Sequence, residues 1–233
     1  MKNLGFKLLL LCVMGIFTLG ASATPDKDYL CFTANEDGST VVLVKVNNPY
    51  GVDLEYSTDD GENWENVNFN SDGYMNTITL EKAGDKVFFR KANSADEVKG
   101  FSSKDGYYYF EMSGSIAASG NVMSLIDCNV KTKEIPCEYC FAYLFYECHA
   151  LTSAPELPAT ELAEYCYDFM FYECTNLTSA PKLPATTLKE GCYYGMFDEC
   201  TNLKSAPELF ATELAEYCYE YIVADLPPQA PRG

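Results

Sequence analysis

Two hydropathy textures divide the chain. From Tyr29 to about Ser113, short apolar or alternating runs are separated by turn residues. TVVLVKV (40–46), VDLEYS (52–57), TITL (77–80), KVFFR (86–90) and YYYFEM (107–112) predict strands. Glu36-Asp37-Gly38, Asp59-Asp60-Gly61, Ser71-Asp72-Gly73 and Lys104-Asp105-Gly106 supply the turns between them. This spacing predicts a small antiparallel, sandwich-like β domain over residues 24–113.

From Leu151 onward one unit is written almost three times. LTSAPELPATELAEYCYDFMFYECTN (151–176) is followed by LTSAPKLPATTLKEGCYYGMFDECTN (177–202), and LKSAPELFATELAEYCYEY begins again at Leu203. Cys140, Cys166, Cys192 and Cys218 recur every 26 residues, as do Cys148, Cys174 and Cys200. A fixed period of this length implies stacked units, each too small to bury its own apolar face. Projected backwards, the period places a first unit at Leu125, whose opening half, LIDCNVKTKEIPC, diverges as a terminal cap should. The expected repeat array therefore runs over 125–221, with units starting at 125, 151, 177 and 203. GSIAASGNVMS (114–124) reads as a linker or cap, and 222–233 as an irregular, truncated tail.

Within a unit, Leu177, Ala180 and Leu183 are interrupted by Pro181 and Pro184, which suits a short extended edge with tight corners. Leu188, Cys192, Met196, Phe197 and Cys200 follow at four- and one-residue steps, which predicts a helical turn with an inward face. The fold class expected is thus a mainly β, sandwich-like N-terminal domain followed by a short leucine-rich-repeat-type α/β solenoid.

Composition adds a compartment. Lys2 and Lys7 flank the apolar run LLLLCVMGIFTLG, which ends in Ala21-Ser22-Ala23, the tripartite pattern of a cleaved signal peptide over 1–23. No second stretch is long enough to span a bilayer, so no membrane span is expected after cleavage. The formal charge is −18, and the first 23 residues hold two lysines and no acid, so the remainder carries 14 bases against 34 acids, or −20. Such a surface repels phosphate backbones and argues against nucleic-acid binding. Eleven cysteines beside one histidine suit an exported protein able to form disulfides.

Catalytic chemistry fails on inventory. A Ser-His-Asp or Cys-His device needs a histidine, and His149, the only one, fills the slot of Thr175 and Thr201 in later units. Cys137-Glu138-Tyr139-Cys140 is a C-x-x-C, but Cys140 already belongs to the 26-residue ladder and no second C-x-x-C completes a metal site. Catalytic residues, metal sites and cofactors are therefore all expected to be absent. Ser57-Thr58-Asp59-Asp60-Gly61-Glu62-Asn63-Trp64 resembles the Asp-box of sialidase propellers. Its reading here is a hairpin in which Asp59 binds turn amides, Gly61 takes positive φ and Trp64 packs beneath. Sialidases need an arginine cluster for their substrate, and this chain has only Arg90 and Arg232.

The pattern C-x-x-x-M-F-x-x-C-x-x-L resembles the cysteine-containing leucine-rich repeats of BspA-type bacterial surface proteins. The likeness covers roughly 125–221, and the plan of signal peptide, β domain and repeats is similar to exported proteins of gut and oral Bacteroidetes. The unit departs from the usual L-x-x-L-x-L core, since Ala154, Ala180 and Ala206 replace the second leucine. The resemblance implies display at the cell surface or release outside the cell, with adhesion or protein–protein binding as the function. A carbohydrate-binding component of an outer-surface glycan uptake system is the alternative, and a structural spacer a third. The partner implied is a protein or glycan on a host or neighbouring cell.

Two ladders carry the site expectations. Tyr139, Tyr165 and Tyr217 share one register, Tyr167, Tyr193 and Tyr219 the next, and Tyr146 and Tyr172 a third. Stacking sets equivalent residues about 5 Å apart, which makes the first two registers either a roof over the core or a ligand-facing aromatic ladder. The cysteines are either reduced and packed, or paired as Cys140–Cys148, Cys166–Cys174 and Cys192–Cys200, with Cys128–Cys137 as a fourth pair. Pairing leaves Cys31 and Cys218 over, because the partner of Cys218 falls on Leu226. That mismatch leads to the expectation that the chain is a fragment or a frame-shifted end of a longer array, with Cys218 unpaired and the last unit frayed.

Overall fold

A computed structural model describes residues 28–47, 49, 51, 53–92 and 100–222. The expected signal peptide and all but Ile222 of the expected tail lie outside these residues. Nine strands are present among them: β1 (Leu30–Ala34), β2 (Ser39–Asn47), β3 (Leu54–Ser57), β4 (Glu65–Asn66), β5 (Ile78–Leu80), β6 (Lys86–Lys91), β7 (Gly106–Ser113), β8 (Ile116–Ser119) and β9 (Leu151–Ser153). They form a six-stranded sheet, β4-β3-β6-β1-β8-β9, and a three-stranded one, β5-β2-β7. The alternation read from the sequence sets their inward faces. Val41 and Leu43 of β2 and Tyr108 and Phe110 of β7 are buried, with Leu43 opposite Phe110. Phe32 of β1 and Phe89 of β6 meet them from the other sheet, with ring centroids 4.7 Å (Phe32–Phe110) and 5.1 Å (Phe89–Phe110) apart.

The passage expected as a linker or cap is built into the sheet. Residues 114–124 hold strand β8, antiparallel to β1 and parallel to β9, and then a 3₁₀ turn at Val122–Leu125 whose four residues are all buried. Asn121 caps that turn by accepting the Met123 amide at 2.9 Å. Gly120 is held in the left-handed region against the Tyr29 carbonyl, where a Cβ would clash with that oxygen.

The expected α/β solenoid is corrected. Among the described residues the only helical element is that 3₁₀ turn, and the repeats contain no α-helix. Each unit instead lays down a ribbon in which residues alternate between two hydrogen-bonding duties. The amides of Tyr139, Phe141, Tyr143, Phe145 and Glu147 donate to the carbonyls of Glu164, Cys166, Asp168, Met170 and Tyr172 in the next unit, at 2.8–3.1 Å. The amides between them, Ala142, Leu144, Tyr146 and Cys148, turn back to carbonyls three residues earlier. A left-handed residue closes every fourth position: Tyr139, Tyr143 and Glu147; Tyr165, Phe169 and Glu173; Gly191, Gly195 and Glu199; Tyr217 and Tyr221. An α-helix cannot pass through such residues, since the left-handed state puts Cβ against the following carbonyl. The apolar steps of four and one do mark one inward face. They arise here from a four-residue turn period rather than from 3.6.

The layers build directly on the sheets. The Phe110 amide donates to the Leu144 carbonyl at 2.9 Å, Ser102 to Cys140 at 2.9 Å, and Ile116 to Ala150 at 2.9 Å. One buried cluster consequently runs from Leu30 to Cys218. Its spine is a file of rings, Phe110–Phe145–Phe171–Phe197, stacked at 5.7, 5.2 and 5.3 Å. A second file, Phe141–Tyr167–Tyr193–Tyr219, runs beside it at 5.8–5.9 Å.

Candidate functional site

A third set of rings lies at the surface, with Tyr143, Phe169 and Tyr221 contributed by left-handed positions. Starting on β7, Tyr109 meets Tyr107 at 6.2 Å and Tyr107 meets Tyr143 at 4.8 Å. Contacts continue through Tyr146, Phe169, Tyr172 and Tyr194 to Tyr221, with neighbouring centroids 5.0–5.9 Å apart. Apart from the more exposed Tyr221, these rings are half-buried, so the belt is continuous and open to solvent along its length. Two hollows open against its β7 end. One, of about 550 Å³, is lined by Tyr107, Tyr139, Tyr143 and Tyr146 with Ser103 and Lys104. The other, about 330 Å³, lies between Tyr109, Tyr146 and Glu147.

Carboxylates border the belt. Glu147, Glu173, Asp198, Glu199 and Glu220 act electrostatically on Tyr146, Tyr172 and Tyr194. Burial, the Glu147 hydrogen bond and its charge push the Tyr146 hydroxyl up to about 12. Burial first, then nearby carboxylates, also raises Tyr143, Tyr172 and Tyr194 above the ordinary tyrosine range. At neutral pH the belt therefore presents neutral O–H donors beside negative charge. Asp168 lies beneath it, 6% exposed, with no partner for Oδ1. Burial raises its carboxyl to about 7, against a smaller lowering by the Tyr143 hydroxyl.

The sequence-derived ladder splits in two. Tyr139 and Tyr165 are half-buried at the surface, stacked at 5.1 Å with 6° between planes, and Tyr217 is exposed. The missing member of that register is Gly191. A Cβ there would lie 2.2 Å from the Tyr165 ring, so glycine lets the ring lie flat on the next layer. Tyr165 closes over it with a 2.8 Å hydrogen bond to Glu190. The other register faces inward. Tyr167 and Tyr193 are each 1% exposed, and Tyr219 packs on Tyr193. Left-handed residues face out and the odd residues between them face in, a distinction that the 26-residue period cannot express.

Sequence reading missed Tyr107, Tyr109, Tyr143, Phe169, Tyr194 and Tyr221. Three of them did carry a signal. Tyr143, Phe169 and Tyr221 share a register broken by Gly195, whose Cβ would lie 2.4 Å from the Phe169 ring.

The cysteines form no disulfide among the described residues. The expected pairs Cys140–Cys148, Cys166–Cys174, Cys192–Cys200 and Cys128–Cys137 are therefore not formed in this structure. Within a unit the two cysteines occupy separate files and bond to neighbouring layers. Cys174 and Cys200 Sγ donate to the carbonyls of Phe145 and Phe171, one layer back, at 3.0 Å, and Cys166 Sγ donates to Cys192 at 3.8 Å. Two residues on, Asn176 and Asn202 make the same backward reach to His149 and Thr175 at 2.7 Å. Burial drives the Cys166 and Cys174 thiols far above their ordinary range and Cys200 to about 12, so they remain thiols. His149 sits exposed at a corner, 3.3 Å from the Thr175 hydroxyl.

The Asp-box-like hairpin has the expected local geometry. Asp59 accepts from the Asn63 amide at 2.9 Å and from Ser57 at 2.7 Å, Gly61 has φ 85°, and the Trp64 indole donates to the Gly61 carbonyl at 3.0 Å. Arg90 lies 3.8 Å over the Trp64 ring and pairs with Glu55 at 2.8 Å, which commits that arginine to packing. No known family model, curated protein or solved structure matches the chain.

Proposed function

We propose that the chain is a non-enzymatic binding module, exported and displayed at a bacterial cell surface, which holds a protein partner against the tyrosine belt. The belt's continuity carries this reading. Tyrosine supplies large contact area at low entropy cost and dominates protein hot spots. The carboxylate border and the −18 net charge select a partner with a basic patch. The BspA-like repeat pattern and the signal-peptide pattern agree with adhesion at that location. A glycan partner is the second reading, favoured by the Tyr107–Tyr139–Tyr143–Tyr146 hollow, whose volume and stacked walls suit a small saccharide.

Screening the secreted protein on host-matrix protein and glycan arrays separates the two. The expected outcome is retention on basic matrix proteins that weakens with salt. Tyr143→Ala with Tyr172→Ala is expected to weaken it at least tenfold, with circular dichroism unchanged. Binding that survives both substitutions would remove the belt from the account, and binding confined to glycans would favour the second reading.

A further inference from the structure

The Cys137–Cys140 pair stands outside the logic of the repeat. The slot of Cys137 holds Ala163, Lys189 and Ala215 in later units, so stacking does not ask for a cysteine there. Cys140, by contrast, belongs to the buried ladder. The two occupy the ends of a tight turn whose third residue, Tyr139, is left-handed at φ 56°. Turn ends lie within about 7 Å of each other at Cα, inside the separation that a disulfide spans. The Cys137 thiol reaches the Ser102 carbonyl at 3.7 Å, and Cys140 is the neighbour that acts on it most strongly.

Their exposures differ in a useful way. Cys137 is half-buried and opens on a hollow of about 500 Å³ lined by Pro136, Glu138, Ala163, Glu164 and Lys189, while Cys140 is fully buried. The neighbouring Cys140 thiol is the largest influence on Cys137 and lowers its pKa, whereas burial raises Cys140. The outer sulfur is thus the one that reaches the thiolate state. Among the described residues no group of three or more His, Cys, Asp or Glu gathers as a metal site would require.

We propose that Cys137 and Cys140 form a thiol–disulfide exchange site that takes disulfides, small or protein-borne, as its substrate. Cys137 loses its proton and its thiolate attacks one sulfur of R–S–S–R, forming a mixed disulfide and expelling RS⁻, which takes up a proton. Cys140 then gives up its proton and attacks Cys137 Sγ, breaking the mixed bond and releasing the second RSH. Two electrons pass to the substrate, and the chain keeps one Cys137–Cys140 disulfide. The thiols of Cys166, Cys174 and Cys200 stay out of this exchange because, unlike that of Cys137, they are buried.

Incubation of the full chain in a series of glutathione redox buffers, followed by alkylation and peptide mapping, tests this. Cys137 and Cys140 are expected to lose reactivity together in one two-electron transition, while Cys166, Cys174 and Cys200 alkylate only after denaturation in every buffer. Cys137→Ser should abolish the transition, and Cys140→Ala should leave Cys137 bearing glutathione. Pairing of Cys137 with Cys128, pairing of Cys140 with Cys148, or no transition at all would overturn the proposal. The wild-type map decides these outcomes even if Cys140→Ala fails to fold.

Discussion

Asp168→Asn is expected to raise unfolding free energy at pH 8 by up to about 4 kcal/mol and to change it little at pH 4. The carboxyl is buried, one oxygen has no partner, and its pKa is raised to about 7 from an ordinary 3.8. Every tenfold change in proton affinity between the folded and unfolded chain corresponds to about 1.4 kcal/mol. The sign follows from where the proton sits. Below pH 4 both folded and unfolded chains hold it and no cost arises. Between pH 4 and 7 the folded chain keeps the proton while the unfolded chain releases it, so stability falls as pH rises and levels off above 7. An amide is neutral throughout and removes that slope. Tyr143, which hydrogen-bonds the carboxyl, and Tyr139 and Tyr194, which feel its charge, form its surroundings. The first unit carries Ala142 in the same slot, so stacking does not require the acid. Urea titrations at pH 4, 6 and 8 give the answer. An equal effect at all three would mean that Asp168 binds its proton no more tightly in the folded chain than in the unfolded one.

Phe171→Ala is expected to cost about 3–5 kcal/mol. Phe171 is fully buried between Phe145 at 5.2 Å and Phe197 at 5.3 Å, in a file that reaches Phe110 and, through it, Phe32 of β1. Its loss removes a buried side chain and two stacked contacts at once, each contact worth about 0.5–1.5 kcal/mol beyond burial. Because the file is continuous with the sheet core, repeats and sheets are expected to lose structure together. Separate thermal transitions for tyrosine and tryptophan fluorescence in the variant would indicate that the two halves are not one cooperative unit.

The residues show where sequence reasoning succeeds and where it stops. TVVLVKV and YYYFEM identify β2 and β7 because inward Val41, Leu43, Tyr108 and Phe110 alternate with outward residues. LCFTA gives no such signal, because Leu30, Cys31, Phe32 and Ala34 are all buried and β1 has no alternation to detect. The 26-residue period reveals that Phe145, Phe171 and Phe197 share one register, but a period says nothing about backbone conformation. Left-handed tyrosines and glutamates look like ordinary helix or strand residues in sequence. Only Gly191 and Gly195, at two of the eleven left-handed repeat positions, advertise the requirement. The belt is hidden for the same reason: which tyrosines face out depends on those turns.

Tyrosine-selective nitration of the native protein, mapped by mass spectrometry, tests the layered arrangement most directly. Tyr146, Tyr172, Tyr194, Tyr217 and Tyr221 lie at the surface, whereas Tyr108, Tyr167 and Tyr193 are no more than 2% exposed. The expected result is rapid modification of the first group and none of the second until denaturant is added. Reaction of Tyr167 and Tyr193 at the rate of Tyr146 and Tyr172 would contradict the separation of a buried ring file from a surface belt.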